Sequence, residues 1–289
     1  MRFHCSEAMT AIANYIPLAK AVEEAGYAGF LVPDSLIYPQ ASDTEYLYNS
    51  DGSRDFLENK PFVESFILSS AILTATSRLE VTTNVVKLPV RQPLYSAKLA
   101  CSVDALSGDR FNFGVGLSVW PDDYQAMGVD YAKRGKRLDE CIEIVRGLAT
   151  GDYFEFHGEF YDMQSVKINP VGSRPLPILV GGHSDPALRR AALHDGFIYA
   201  GGAYDDFVAL IEKLRGYRDE AGTAAKPYRI FARTYDEVTP DYVRRMEDLG
   251  VTDMPVAFRN MYANEEDTQP LDEKIADYVR FADNVMAKL

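Results

Sequence analysis

The chain has 289 residues, of which 47% are hydrophobic and 25% charged, proportions typical of a globular protein that buries a core without cross-links. Its formal net charge of −13 disfavours nucleic acid and anionic membrane as partners, because a negative field repels both. Three irregularly spaced cysteines argue against a disulfide framework and against a zinc site, so no metal is expected. The lack of a signal pattern and of an apolar run of ~18 residues makes the cytoplasm the expected compartment.

Strand and helix patterns alternate along the first half of the chain. Strands are predicted at 2–5, 29–32, 79–86 and 110–115, and helices at 11–25, 62–76, 93–106 and 131–149. The helix at 11–25 has apolar residues at helical spacing and ends at Gly26, as expected of a C-terminal glycine. Pro61 is interpreted as the first residue of the next helix.

The second half of the chain repeats the pattern. Strands are predicted at 177–180, 197–200, 228–233 and 254–258, and helices at 186–194, 206–221, 241–249 and 271–287. Eight successive strand–helix units with right-handed crossovers predict a parallel sheet, and at this length they favour closure into a (β/α)8 TIM barrel with one domain over 1–289. Two long stretches, 35–60 and 150–176, are predicted to be lid insertions after strands two and four.

Active sites of such barrels lie at the C-terminal ends of the strands. Candidates there include Asp34 and Ser35 after strand two, Arg233 after strand seven, and the turn Gly181-Gly182-His183-Ser184 after strand five. Glycines let the backbone approach a ligand, and the helix N-terminus that follows suits a phosphate. The same turn can equally be a tight strand–helix connection with Ser184 or Asp185 as the N-cap.

Three residues near the strand ends have two interpretations each. His183 is a cofactor contact or a surface-loop histidine, and Asp34 faces the pocket or caps the following segment. Trp120, the single tryptophan, walls the pocket or anchors its loop. The lid at 35–60 carries three tyrosines: Tyr38, Tyr46 and Tyr48. These rings favour an aromatic or mixed-polarity ligand.

Several common site motifs do not occur in the sequence. There is no Ser-His-Asp signature such as G-x-S-x-G, no histidine spacing that suits a metal, and no Walker loop. Gly114 and Gly116 lead to Val119 where a dinucleotide-binding motif would have its third glycine. Hydrolase, metalloenzyme and NAD-binding Rossmann functions are therefore disfavoured.

Ordered sequence blocks give a sharper indication. VPDS at 32–35, LPVRQP at 88–93, DALSGDRF at 104–111 and PILVGGHS at 177–184 belong to a series of blocks that runs over residues 10–202. In their order and spacing they resemble the luciferase-like monooxygenases, and within that family the F420-dependent subclass found in actinobacteria.

The resemblance implies a barrel, often a homodimer, with a flavin or deazaflavin across the strand ends and a small-molecule substrate. The cofactor contacts that it implies are Asp34, Thr83, Asn84, Val85, Leu117, Ser118, Gly181, Gly182, His183 and Ser184. Within this set, a non-proline cis peptide at Asn84-Val85 supports the back of the ring in a bulge after strand three. Asp34 contacts the headgroup, and the turn at 181–184 holds the phosphate.

The chain departs from the sugar-phosphate dehydrogenases of that subclass at two positions. Their catalytic histidine and glutamate are replaced here by Ser35 and Val119, so that acid–base pair is absent and sugar-phosphate oxidation is disfavoured. The departures suit reduction of an enone, an imine or a similar acceptor, with the proton supplied by water, a tyrosine or Asp122. Asp34, Ser35 and Asp122 remain as candidate catalytic residues.

Three functions stay open at this point. The first is an F420-dependent oxidoreductase that transfers hydride between the deazaflavin C5 and a small organic substrate. The second is an FMN-dependent luciferase-like monooxygenase that uses reduced flavin and O2. The third is a cofactor-binding protein of the same fold without turnover.

Overall fold

A computed structural model describes residues 1–42, 44–46, 52–261 and 265–289. The strands, in chain order, are β1 (Arg2–Cys5), β2 (Gly29–Val32), β3 (Glu80–Thr83), β4 (Val86–Lys87), β5 (Phe111–Gly116), β6 (Phe154–His157), β7 (Asp162–Val166), β8 (Ile178–Gly181), β9 (Gly196–Ile198), β10 (Arg229–Phe231) and β11 (Asp253–Val256). The α-helices are α1 (Tyr15–Glu24), α2 (Ser65–Ala75), α3 (Pro93–Ser107), α4 (Pro121–Ala126), α5 (Arg134–Leu148), α6 (Asp185–Ala191), α7 (Tyr204–Glu220), α8 (Pro240–Asp248) and α9 (Leu271–Asn284).

Eight of these strands close into a parallel barrel. They pair in the order β1, β2, β3, β5, β8, β9, β10 and β11, and β11 pairs with β1 to complete the ring. β4 continues past the end of β3 and pairs with β5, whereas β6 and β7 form a separate antiparallel hairpin. The predicted (β/α)8 TIM barrel is confirmed. No helix in the described ranges is long and apolar enough to cross a membrane.

The main apolar core lies between the barrel and its helices. On β5, Phe111, Phe113 and Val115 alternate with interior residues and join this outer core, together with Leu138 and Ile142 of α5. Full burial of such side chains stabilises the fold by about 1.5–3 kcal/mol each. The outer core therefore fixes which residues of every strand face the inside of the barrel.

The interior of the barrel has a polar layer below an apolar one. At the N-terminal ends of the strands, Arg229 donates to Glu80 at 2.9 Å and to Asp253 at 3.0 Å, and His4 Nε2 lies 2.7 Å from Asp253. The apolar layer above it consists of Leu31, Leu179, Ile198 and Phe231. The lower end is thus filled by paired side chains, which leaves the C-terminal end of the barrel for a ligand.

Several element boundaries differ from the prediction for local reasons. α2 begins at Ser65 rather than near Pro61, because the Glu64 carboxylate accepts hydrogen bonds from the first free backbone N–H groups of the helix. α5 begins at Arg134, because Lys133 has a left-handed φ of 56°. The strand predicted at 79–86 is interrupted by a bulge between β3 and β4, and the short helix α4 was not predicted.

The prediction of a second lid at 150–176 is wrong. This stretch connects the end of α5 to the start of β8, and such a helix-to-strand connection leaves from the end of the barrel opposite the active site. It forms the β6–β7 hairpin, whose tip is held along α5 because Glu140 accepts the backbone N–H groups of Glu159, Phe160 and Tyr161. Two of its aromatic side chains contact α5, Phe154 beside Gly147 and Tyr161 beside Cys141.

Candidate active site at the barrel mouth

Strand alternation decides which side chains face the mouth of the barrel. On β10, Phe231 lies inside, the next residue Ala232 belongs to the outer core, and the Thr234 hydroxyl contacts Tyr242 of α8 at 2.9 Å. Arg233, between two outward residues, therefore points inward. By the same alternation, and from the packing of Val85, the last inward residues of the eight strands are Ser6, Pro33, Val85, Gly116, Gly181, Ala200, Arg233 and Ala257. The floor of the mouth is thus made mostly of small and apolar residues.

Val85 packs on the apolar interior layer and forms part of this floor. The Asn84–Val85 peptide is cis, as the resemblance implies, and Val85 packs against the apolar interior layer. A Cβ atom on Gly116 would lie 2.7 Å from a Val85 methyl group, and one on Gly181 would lie 3.1 Å from the other. Both glycines are therefore needed for Val85 to lie across the mouth, and the three residues together form a low, apolar surface.

Asp34 is buried beside this bulge and has partners on both oxygens. Its carboxylate accepts from both terminal nitrogens of Arg91 at 2.7 and 2.8 Å, from the backbone N–H of Lys87 at 2.9 Å and from the Ser65 hydroxyl at 2.8 Å. Burial opposes ionisation, but Arg91 and these hydrogen bonds hold the pKa of Asp34 below its ordinary value. Contact of Asp34 with the cofactor stays a prediction, while the structure gives it a positioning role after β3.

The turn at 181–184 has a structural explanation of its own. Gly182 has a φ of +130°, and a Cβ atom there would lie 2.9 Å from that of Ala187 in α6. Ser184 precedes α6 as its N-cap residue, but its exposed hydroxyl makes no capping hydrogen bond, and Asp185 pairs with Lys213 at 3.0 Å. The tight turn is therefore present without the predicted side-chain cap, and phosphate binding by this turn stays a prediction.

His183 joins the ends of two neighbouring strands. Its Nε2 accepts the backbone N–H of Ala200 at 3.0 Å, and its ring stacks on Tyr199 with centroids 4.5 Å apart. Burial lowers the pKa of His183, and the neutral ring is the form that can accept this hydrogen bond. The residue is thus held in a defined orientation at the edge of the mouth, unlike a free surface-loop histidine.

The loop after β5 is fixed by a buried polar group. The Ser118 hydroxyl donates to Asp123 and accepts the backbone N–H of Trp120 at 3.1 Å, and Lys87 Nζ pairs with Asp123 at 2.7 Å. Leu117, next to Ser118, is half-buried against the outer core. Sequence reasoning missed Asp123, whereas Lys87 belongs to the residues at the end of strand three, 84–87, where active-site residues were expected.

Trp120 joins the segment predicted to be the first lid to the loop after β1. The ring is 3% exposed and lies in a second apolar cluster with Ala8, Met9, Phe56 and Leu57. The Tyr46 ring is 5.3 Å away, and the cationic groups of Arg54 and Lys87 lie over the indole at 5.4 and 4.9 Å. Of the two interpretations of Trp120, the structure supports the anchor.

Asp122 contacts two residues of the segment predicted to be the first lid. Its carboxylate accepts from the Ser42 hydroxyl at 2.8 Å and from Arg54 at 3.4 Å, so these two residues are fastened to the loop after β5. Tyr38 is partly exposed on the lid and Ser35 is half-buried at its start. Tyr48 lies outside the described residues.

Comparison with known proteins agrees with this geometry. A family model described as luciferase-like monooxygenase matches residues 3–275. An uncharacterized protein of Mycobacterium tuberculosis is 53% identical over 289 residues, covering all of both chains. Among solved structures, the monooxygenase RslO1 from Streptomyces bottropensis superposes with a TM-score of 0.78 at 17% identity, covering 100% of this chain and 99% of that one. An F420-dependent secondary alcohol dehydrogenase superposes with a TM-score of 0.67 at 17% identity, covering 86% and 73%.

The fold and its mouth define a barrel enzyme whose chemistry sits at the strand ends. The chain belongs to the luciferase-like monooxygenase family, because the family model covers nearly its whole length. It is therefore an oxidoreductase of a family whose structural relatives include F420-dependent and flavin-containing proteins. The solved structures, at this level of identity, establish the fold alone.

Proposed function

We propose that the chain is an F420-dependent oxidoreductase that transfers hydride between the deazaflavin C5 and a small organic substrate. The observation that carries the proposal is the floor formed by Val85, Gly116 and Gly181, a low apolar surface on which a flat tricyclic ring fits. The preference for F420 over a flavin rests on the sequence blocks, which resemble the F420-dependent subclass. The F420-dependent neighbour of the same fold supports it.

The residues present fit such a ring. Val85 would support one face, and the absence of a Cβ at Gly116 and Gly181 keeps the surface low enough for a planar group. The turn at 181–184 would take the phosphate through its backbone N–H groups. A bound deazaflavin supplies the hydride, while the protein's part is to orient the ring and to exclude water with the lid.

The mouth offers little acid–base chemistry of its own. None of the eight last inward residues is a carboxylic acid or a histidine, and Asp122 is engaged by Ser42 and Arg54. Ser35 and Val119 stand where the acid–base pair of related dehydrogenases would be. We propose that water supplies the proton to a substrate that has accepted hydride, which fits an activated acceptor such as an enone or imine.

Titration of the purified protein with F420 and with FMN tests the proposal, with cofactor fluorescence as the readout. We expect F420 to bind and FMN to bind much more weakly. Gly116→Ala should weaken F420 binding, because the new methyl group displaces Val85. The matched control is Gly216→Ala on α7, where a Cβ atom meets nothing within 4 Å and F420 binding should not change. Micromolar FMN binding without F420 binding would overturn the F420 assignment.

The second candidate is an FMN-dependent monooxygenase. The same floor fits an isoalloxazine ring, and the monooxygenase RslO1 matches the fold over the full chain. Oxygen consumption that depends on reduced FMN would establish this candidate. Hydride transfer from reduced F420 to an enone substrate without oxygen uptake would establish the first, and either result excludes a binding protein without turnover.

A further inference from the structure

Arg233 is a cation at the mouth without an acidic partner. Continued alternation past the end of β10 directs its side chain inward. The residue is half-buried and donates to the backbone carbonyl of Ala257 at 2.9 Å. No carboxylate in the described part of the chain lies within ion-pair distance of it, and the groups that raise its pKa are the phenols Tyr242 and Tyr278. Burial is the larger effect and lowers the pKa of Arg233.

Two other buried cations in the described part of the chain are paired with acids. Arg91 is bound by Asp34, and Lys274, which is 2% exposed, lies 3.1 Å from Glu7 and 2.8 Å from Asp267. A desolvated charge is costly unless an opposite charge compensates it. Arg233 differs from these residues in lacking a compensating acid, although the chain has 43 acidic residues.

The topology places Arg233 opposite the proposed ring support. In the ring of strands, β10 is four positions from β3 in either direction, so Arg233 faces Val85 across the mouth. A ring with one face against Val85 would have its other face open toward the β10 side of the mouth. The substrate would meet the ring on that open face, so the β10 side of the mouth would border the substrate.

We propose that Arg233 binds a carboxylate group of the substrate, an inference that rests on the proposed function for the position of the ring. The Ala257 carbonyl fixes one terminal nitrogen of the guanidinium and leaves the rest of the planar group for a bidentate contact with an anion. Tyr235, two residues further on, is 80% exposed and lies beside Gly201, so an aromatic surface borders the same wall. The substrate class is a small, activated acceptor that carries a carboxylate.

Calorimetric titration with three carboxylates and their neutral amides tests the proposal without a known substrate. The pairs are acetate and acetamide, benzoate and benzamide, and succinate and succinamide. We expect the wild-type protein to bind at least one carboxylate and not its amide. Arg233→Gln should weaken that binding about tenfold or more, as expected for loss of a charged hydrogen-bonding partner. Arg233→Lys should retain part of it.

Arg244→Gln is the matched control, because Arg244 lies on the exposed side of α8 in a pair with Asp241. It should bind the carboxylate like the wild type. Protection of Arg233 from phenylglyoxal by the same carboxylate, read by peptide mass spectrometry, repeats the test on the wild-type chain in case Arg233→Gln does not fold. Equal binding by wild type and Arg233→Gln, absence of binding by all three carboxylates, or equal binding of acid and amide would each overturn the proposal.

The cofactor titration separates this inference from the proposed function. We expect Arg233→Gln to bind F420 with wild-type affinity. If Arg233→Gln loses F420 binding and keeps carboxylate binding, Arg233 binds an anionic group of the cofactor, and the assignment to the substrate is wrong. If the wild type binds neither F420 nor FMN, the proposed function fails, whereas the carboxylate titration still decides whether Arg233 is an anion site.

Discussion

Asp34 and Arg91 form a buried ion pair beside the bulge that places Val85 in the mouth. Asp34→Asn keeps the shape of the side chain and removes its charge, which leaves Arg91 without compensation. We expect the free energy of unfolding, measured with urea, to fall by about 3–5 kcal/mol. Asp185→Asn is the control, since it removes an exposed pair with Lys213 worth about 0–1 kcal/mol.

The same variant distinguishes positioning from direct cofactor contact. If Asp34 acts by holding the bulge, F420 affinity and stability should fall together in Asp34→Asn. Loss of F420 affinity with a wild-type free energy of unfolding would mean that the carboxylate serves the cofactor directly, and the positioning role would be wrong.

A residue's structural role could be predicted only where neighbouring residues in the sequence indicate it. The cis peptide at Asn84-Val85 lies next to a recognisable block and was predicted at the observed position. The partner of Asp34 was not predicted, because Arg91 is 57 residues away in the chain and nothing local indicates which charge it meets. Arg233 was noted only as a strand end, since its lack of an acidic partner is visible only in the fold.

At the scale of elements, the predicted lid is fastened by polar contacts as well as by Trp120. Asp122→Ala removes the acceptor for Ser42 and Arg54. Loss of a hydrogen bond worth about 1 kcal/mol raises the equilibrium constant for opening of the predicted lid about fivefold. Limited proteolysis within 35–60 should therefore accelerate by the same factor. The barrel itself should keep its melting temperature, because the contact lies outside the core.

Asp241→Ala controls for loss of an exposed acid, and it should leave cleavage of the lid unchanged. The experiment also tests Asp122 as a proton donor. Unchanged proteolysis combined with loss of turnover would contradict the fastening role and indicate a chemical one.

Strands and helices were predicted correctly where apolar periodicity identifies them. The prediction failed where it required knowing whether a connection runs from strand to helix or from helix to strand. All eight strand–helix units could be found from their apolar patterns, because burial against the barrel imposes those patterns. The stretch at 150–176 looked like a second lid, since length and aromatic content cannot tell a strand-to-helix loop from a helix-to-strand loop. Only its place after α5 puts it on the flank of the barrel.

At the scale of the whole molecule, the polar layer under the apolar interior links stability to pH. Burial alone would raise the pKa of Glu80, but Arg229 and Arg2 lower it to about 2, and His4 and Arg229 likewise hold the pKa of Asp253 below its ordinary value. Stability from such depressed acids is complete above their unfolded pKa near ~4 and is lost as pH falls through the folded pKa. Burial also lowers the pKa of His4, only partly offset by Asp253, so acidification below ~6.5 destabilises the fold as well.

Glu80→Gln separates the contribution of the acid from that of the histidine. The variant should be less stable than wild type at pH ~7, and its free energy of unfolding should fall less steeply between pH ~5 and pH ~3, because one proton fewer is taken up on unfolding. Urea denaturation across this range measures the slope. Glu220→Gln, which removes an exposed pair with Arg189, should keep the wild-type slope. Equal slopes in Glu80→Gln and wild type would show that Glu80 does not couple the barrel to pH, and that it contributes through packing and hydrogen bonding alone.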